Sequence, residues 1–135
     1  MLVDIHQHAR EDIEFIRTEN SKAAATILAL LEQIEADRAV ADKLTTHGDN
    51  FFGKQKVNVK QWESPGKKTN LWRLRVLDTP ATSYRIVYGY QYKVYPYRIH
   101  ILAVVKKGED QEEFDYDTTS EKGRRIISDW KSLQA

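Results

Sequence analysis

The chain has 135 residues, 41% hydrophobic and 30% charged, with 21 Lys/Arg against 20 Asp/Glu for a formal net charge of +1. That length supports one domain, 1–135, with a real core, and the composition is globular, neither disordered nor membranous. No window reaches the ~18 continuous apolar residues of a membrane helix, Met1-Leu2-Val3-Asp4 lacks the basic and apolar parts of a signal peptide, and the absence of cysteine excludes disulfides and thiolate chemistry. A cytoplasmic protein that does not associate with membranes is expected.

Leu2 to Ile5 is short, apolar and β-capable, as an edge strand would be. Ala9, Ile13 and Ile16 then recur at helical spacing with Arg10, Glu11, Asp12 and Glu14 outside, which predicts a first helix over Ala9–Thr18. Asn20-Ser21 supplies a break and a cap. Ile27, Leu30, Leu31, Ile34 and, less regularly, Val40 and Leu44 mark a second helix from about Ser21 to Lys43. So short a break makes the two an αα-hairpin. Thr45 to Asn50 is turn chemistry, and Phe51-Phe52-Gly53 is expected to pack that loop onto the core.

Lys54 to Trp62 alternates, with Val57 and Val59 opposite Lys54, Lys56, Asn58 and Lys60. It reads as an inserted strand that hairpins through Ser64-Pro65-Gly66-Lys67-Lys68 onto the next, the insertion covering about 54–70. Three further runs follow: Leu71–Val76, Ser83–Tyr88 and Arg98–Lys107. Side chains repeat with period two in a strand, so numbering parity assigns faces. Trp72, Leu74 and Val76 oppose Arg73 and Arg75. Tyr84 and Ile86 oppose Arg85, and Ile99, Ile101, Ala103 and Val105 oppose Arg98, His100, Leu102, Val104 and Lys106. The expected product is a one-sided sheet whose bare face is basic. An acidic stretch, 109–117, precedes a capping-box pattern, Thr118 with Glu121, and Ile126, Ile127, Trp130 and Leu133 at helical spacing, which predicts a C-terminal helix over about 118–134. The fold class is α+β: an N-terminal strand and αα-hairpin, a mainly antiparallel sheet of three to five strands covered by helices on one face, then a helix.

The near-neutral total hides an asymmetry. Residues 51–107 carry twelve Lys/Arg against Glu63 and Asp78, while the flanks are acidic. A charge field concentrated on one segment is the footprint of a polyanion or an acidic partner.

This order, with the strand texts Trp72-Arg73-Leu74-Arg75-Val76, Tyr84-Arg85-Ile86-Val87-Tyr88 and Ile99 to Lys107, resembles the RelE/ParE superfamily of toxins from type II bacterial toxin–antitoxin systems. The likeness is best from Leu71 to Lys107 and extends in outline to Val3-Asp4-Ile5 and the helix pair. It covers neither the Lys54–Lys68 insertion nor the acidic segment. The resemblance implies that a RelE-like chain cleaves messenger RNA in the ribosomal A site without metal, arresting translation, and is held inactive by a cognate antitoxin. It places Arg73 and Arg75 at the family's two strand lysines, Arg85 at the arginine of its tyrosine-arginine strand, and Lys107 at the basic end of the last strand, with Tyr116 or Phe114 nearest to a following tyrosine. A ParE-like chain would instead inhibit DNA gyrase, generally without the basic constellation.

Metal-independent RNA cleavage needs a base for the 2′-hydroxyl, cations for the pentavalent phosphorus and an acid for the departing oxygen. Arg73, Arg75 and Arg85 fit the cationic task through their fork geometry, but arginine stays protonated and does not serve as the base. That role, or a proton shuttle's, falls to His100, on the same predicted face, with Lys106 and Lys107 as second choices for acid or phosphate binder. Lys54, Lys56, Lys60, Arg98, Lys106 and Tyr116 are the candidate RNA-binding residues. Each arginine alone reads equally well as solvated surface, and a lone histidine such as His100 is more often structural than catalytic; the shared parity and the charge imbalance make the joint case. Tyr88, Tyr90, Tyr92, Tyr95 and Tyr97 either stack bases or pack the sheet edge. His6 and His8 lack an evident third ligand, so no metal or other cofactor is expected. The remaining alternative is a non-toxic basic module that binds nucleic acid or a protein partner.

Overall fold

The computed structural model describes residues 2–63, 69–78, 80–93, 95–106 and 118–134. They form an α+β fold in the order β1 (Leu2–Ile5), α1 (Gln7–Glu19), α2 (Ser21–Ala36), α3 (Arg38–Ala41), a 3₁₀ turn (Asp42–Thr45), β2 (Gly48–Phe52), β3 (Gln55–Gln61), β4 (Leu71–Val76), β5 (Tyr84–Gln91), β6 (Arg98–Lys106) and α4 (Glu121–Gln134). The sheet has six strands in the order β1-β6-β5-β4-β3-β2. β1 lies at the edge and runs parallel to β6, and the other neighbours are antiparallel.

Capping chemistry sets the helix boundaries. Asn20 ends α1 by donating its N–H to Ile16 O, and its side chain starts α2 by accepting the Ala23 N–H. Asp37 interrupts the single helix expected as far as Lys43. Its backbone is extended, and its carboxylate caps the next turn by accepting the Ala39 N–H at 2.9 Å. The 45–53 loop is also corrected. Gly48–Phe52 is a strand paired antiparallel with β3, closed by the turn at Gly53, where φ is +63° and glycine is favoured. Phe52 is buried while Phe51 is 59% exposed, an alternation that Asp49 and Asn50 disguise as loop chemistry.

The main core lies between the sheet and the α1–α2 pair. Ile13, Ile16, Ile27, Leu30, Leu31 and Ile34 pack on Val57, Val59, Leu74, Ile86, Tyr88 and Ile101. Each such aliphatic side chain contributes about 1.5–3 kcal/mol of transfer free energy when fully buried. Tyr88 donates its hydroxyl to Leu44 O at 2.5 Å, fastening the 3₁₀ turn to β5, and burial holds its phenol well above the ordinary pKa.

The opposite face is not one bare surface. Val87 pairs with Ala103 and Tyr88 with Ile101, so Leu102 is an extra residue in β6, a β-bulge. Beyond it the numbering parity reverses: Val104 joins the helix-pair core beside Ile86, and Ala103 and Val105 turn to the other side. With Trp62, Leu71, Val87 and Leu102 they form an apolar floor, and α4 lays Ile126 and Trp130 onto it. Helices therefore cover both faces, whereas parity had placed them on one. The α4 cap is Ser120, whose Oγ accepts the Gly123 N–H at 3.0 Å, rather than Thr118.

Asp12 joins the layers. Its buried carboxylate accepts the Val104 N–H at 3.0 Å on the length of β6 beyond its pairing with β1, two hydrogen bonds from Arg125 at 2.9 and 2.6 Å, and one from Lys122 at 3.0 Å. Burial opposes the Arg125 charge, but the Asp12 carboxylate outweighs it and holds the guanidinium above its ordinary pKa. Among the described residues no helix is long and apolar enough to cross a membrane.

Candidate nucleic-acid interface

Arg73 and Arg75 project from β4 to the side opposite the α1–α2 core, because Trp72, Leu74 and Val76 take the inward positions. The ladder sets their neighbours. Lys60 and Val87 stand opposite Arg73, and Asn58 and Arg85 opposite Arg75, so one face carries a basic strip across β3, β4 and the start of β5. Lys56 extends it by parity along β3.

Backbone and amide acceptors hold the guanidinium groups. Arg73 donates from Nη1 to Asn58 O at 3.1 Å and to Asn58 Oδ1 at 2.8 Å. Asn58 in turn donates Nδ2 to Asp49 Oδ1 at 2.8 Å. Arg75 donates from Nε to Thr82 O at 3.3 Å. Arg85, 7% exposed, donates from Nη1 to Thr82 O at 2.8 Å and to Tyr84 O at 3.1 Å. Neither Arg73 nor Arg75 has a carboxylate partner among the described residues. Arg75 and Arg85 thus present two guanidinium groups side by side on one strand face, a donor arrangement that suits phosphate oxygens.

His100 is not part of this strip. It lies on the same side of the sheet but pairs with Gly89, four residues along β5 from Arg85, roughly 13 Å at the strand rise. Its ring sits 5.8 Å from that of Trp130, its Nε2 is 3.1 Å from Gln91 Oε1, and its Nδ1 is 4.0 Å from Asp4 Oδ2. Burial lowers its pKa below the ordinary 6.5; Asp4 opposes the shift, and Arg98 and His6 add to it. Arg98 donates to Asp4 Oδ2 at 2.9 Å, also away from the strip. Lys106 pairs with Tyr84, and the bulge places it on the helix-pair side by parity. Lys54 occupies the exposed β2–β3 turn, beside the strip rather than on it. Lys107, Tyr116 and the acidic segment lie outside the described residues, as does the Ser64–Lys68 turn.

Tyr90, Tyr92, Tyr95 and Tyr97 gather at the far end of β5, with ring centroids 5.7 to 6.2 Å apart, so they pack on one another rather than beside the arginines. Two groups escaped sequence reasoning. Asn58 and Asp49 position Arg73, a link that only the unforeseen β2 creates. Asp129 of α4 comes within 2.6 Å of His8 Nδ1, a juxtaposition that required knowing where α4 docks. Comparison with known proteins gives no significant match to a family model, a curated protein or a solved structure.

Proposed function

We propose that the chain is a RelE-like toxin that binds ribosome-held messenger RNA through the strip of Arg73, Arg75 and Arg85 and promotes metal-independent cleavage, with a cognate antitoxin restraining it. One observation carries the reading: Arg75 and Arg85 are directly opposed on one face, Arg73 and Lys60 stand beside them, and Asn58 braces Arg73. That arrangement offers fork-shaped donors to phosphate oxygens and stabilises the charge that develops at phosphorus. The order of strand, helix pair, strands and C-terminal helix, together with the strand texts, supports the superfamily.

The strip supplies binding and charge stabilisation. Its described side chains are Arg, Lys, Asn and Asp, none with an ordinary pKa near neutrality, and His100 is too far away to take the 2′-hydroxyl proton. This separation favours a second reading, a ParE-like gyrase inhibitor that needs no general base. Purified protein added to coupled translation and to a supercoiling reaction distinguishes the two. Loss of full-length product with unaltered supercoiling supports the RelE-like reading. Inhibited supercoiling with unaffected translation replaces it with the second. Salt-sensitive RNA binding without either inhibition reduces the protein to a binding module.

A further inference from the structure

His6 and His8 flank the start of α1. His6 is its N-cap: the backbone N–H of His6 donates to Ile101 O at 2.8 Å, and His6 Nδ1 accepts the His8 N–H at 3.0 Å. The bond to β6 anchors the start of the helix beside the sheet, and the two ring centroids lie 4.9 Å apart. From the other side α4 brings Asp129, the residue before the buried Trp130. Asp129 Oδ2 lies 2.6 Å from His8 Nδ1 and 3.8 Å from His6 Nδ1, and one ligand atom from each of the three residues falls within 4.8 Å of the others. Their side chains are 24%, 40% and 13% exposed, so the group opens to solvent on one side.

We propose that His6, His8 and Asp129 bind one divalent transition-metal ion of the zinc class, which clamps the C-terminal helix onto the β1–α1 junction. Metal-to-ligand bonds of about 2.0–2.1 Å in a tetrahedral shell put neighbouring ligand atoms about 3.3 Å apart. The observed 2.6 and 3.8 Å from Asp129 straddle that spacing, and the two imidazoles close on each other from no more than 4.8 Å. Two imidazoles and one carboxylate suit zinc-class ions rather than magnesium or calcium, which take oxygen shells. Three protein donors leave a position for water. The ion takes the place of the direct His8–Asp129 contact at 2.6 Å. Ligation by His6 through Nε2 keeps the helix cap, and ligation through Nδ1 replaces it. The site is separate from the arginine strip and independent of the RNA reading.

The test uses untagged, full-length protein stripped with a chelator and titrated with Zn2+ by calorimetry, and with Co2+ by its visible spectrum. One ion per chain is expected, with a tetrahedral Co2+ spectrum and a thermal midpoint that rises with Zn2+ but not with Mg2+. His8→Ala should weaken binding at least about tenfold. Asp129→Asn keeps a hydrogen-bonding group beside His8 while removing the anionic donor, so it should stay folded yet lose the same affinity and the Zn2+-dependent rise in midpoint. No stoichiometric binding, or binding unchanged in folded Asp129→Asn, overturns the proposal.

Discussion

Arg75 and Arg85 stand directly opposite each other in the β4–β5 ladder, with Arg85 7% exposed and both donating to Thr82 O. The shared Thr82 carbonyl holds the two guanidinium groups on the same face of the sheet. Replacing Arg75 with alanine removes one long hydrogen bond, to Thr82 O at 3.3 Å, and should change stability by no more than about 0.5 kcal/mol. Urea unfolding checks this, and a loss of more than about 1 kcal/mol, well beyond an ordinary surface substitution, would make Arg75 a structural residue.

If the strip binds phosphates, the salt dependence of RNA binding counts the contacts. Log affinity for single-stranded RNA against log salt should flatten by about 0.7 for each of Arg73→Ala and Arg75→Ala. Fluorescence anisotropy over a range of KCl concentrations measures it. A slope unchanged in the double variant would place the RNA elsewhere.

Gly89 is the close approach between β5 and α4. A Cβ there would lie 2.5 Å from Trp130 Cζ3. Gly89→Ala should therefore push α4 off its floor and cost about 1–3 kcal/mol. Near-ultraviolet circular dichroism and tryptophan emission, read together with urea unfolding, check this; an unperturbed Trp130 signal at wild-type stability contradicts the docking.

Asp12 accepts from Val104, Arg125 and Lys122 at once. Asp12→Ala strands a buried backbone donor and two cations and should cost about 3 kcal/mol, a size typical of breaking a buried pair. Chemical denaturation measures it. Because Lys122 is 45% exposed, most of the loss should be traceable to Arg125 in a double-mutant cycle.

His100 has a folded pKa lowered from 6.5 mainly by burial. The unfolded chain then binds a proton that the folded chain refuses, so stability rises with pH between the lowered folded value and 6.5 and is level on either side. Stability measured against pH in chelator, wild type against His100→Gln, isolates the slope. An equal slope in both proteins assigns it to another group.

Much of this fold was legible because periodicity survives wherever a segment has one solvent-facing side. Leu74 against Arg73 and Arg75, Val57 and Val59 against the lysines, and Ile27 to Ile34 along α2 all sit as their spacing requires. Legibility failed where one residue changes the count or a cap outranks the pattern. Leu102 reverses the parity of β6, which placed Lys106 on the wrong side and hid the floor for Ile126 and Trp130. Asp37 ends a helix whose apolar stripe continues. At the candidate site, the three arginines came together as parity predicts. His100 did not, because shared parity says nothing about distance along a strand.

The most direct test of the RNA reading is to induce the protein in growing bacterial cells and map messenger RNA 5′ ends at nucleotide resolution. New ends inside translated codons, together with growth arrest, are predicted for the wild type, and both should disappear in Arg73→Ala/Arg75→Ala. Growth arrest with intact messages, or cleavage that persists in the double variant, would contradict it.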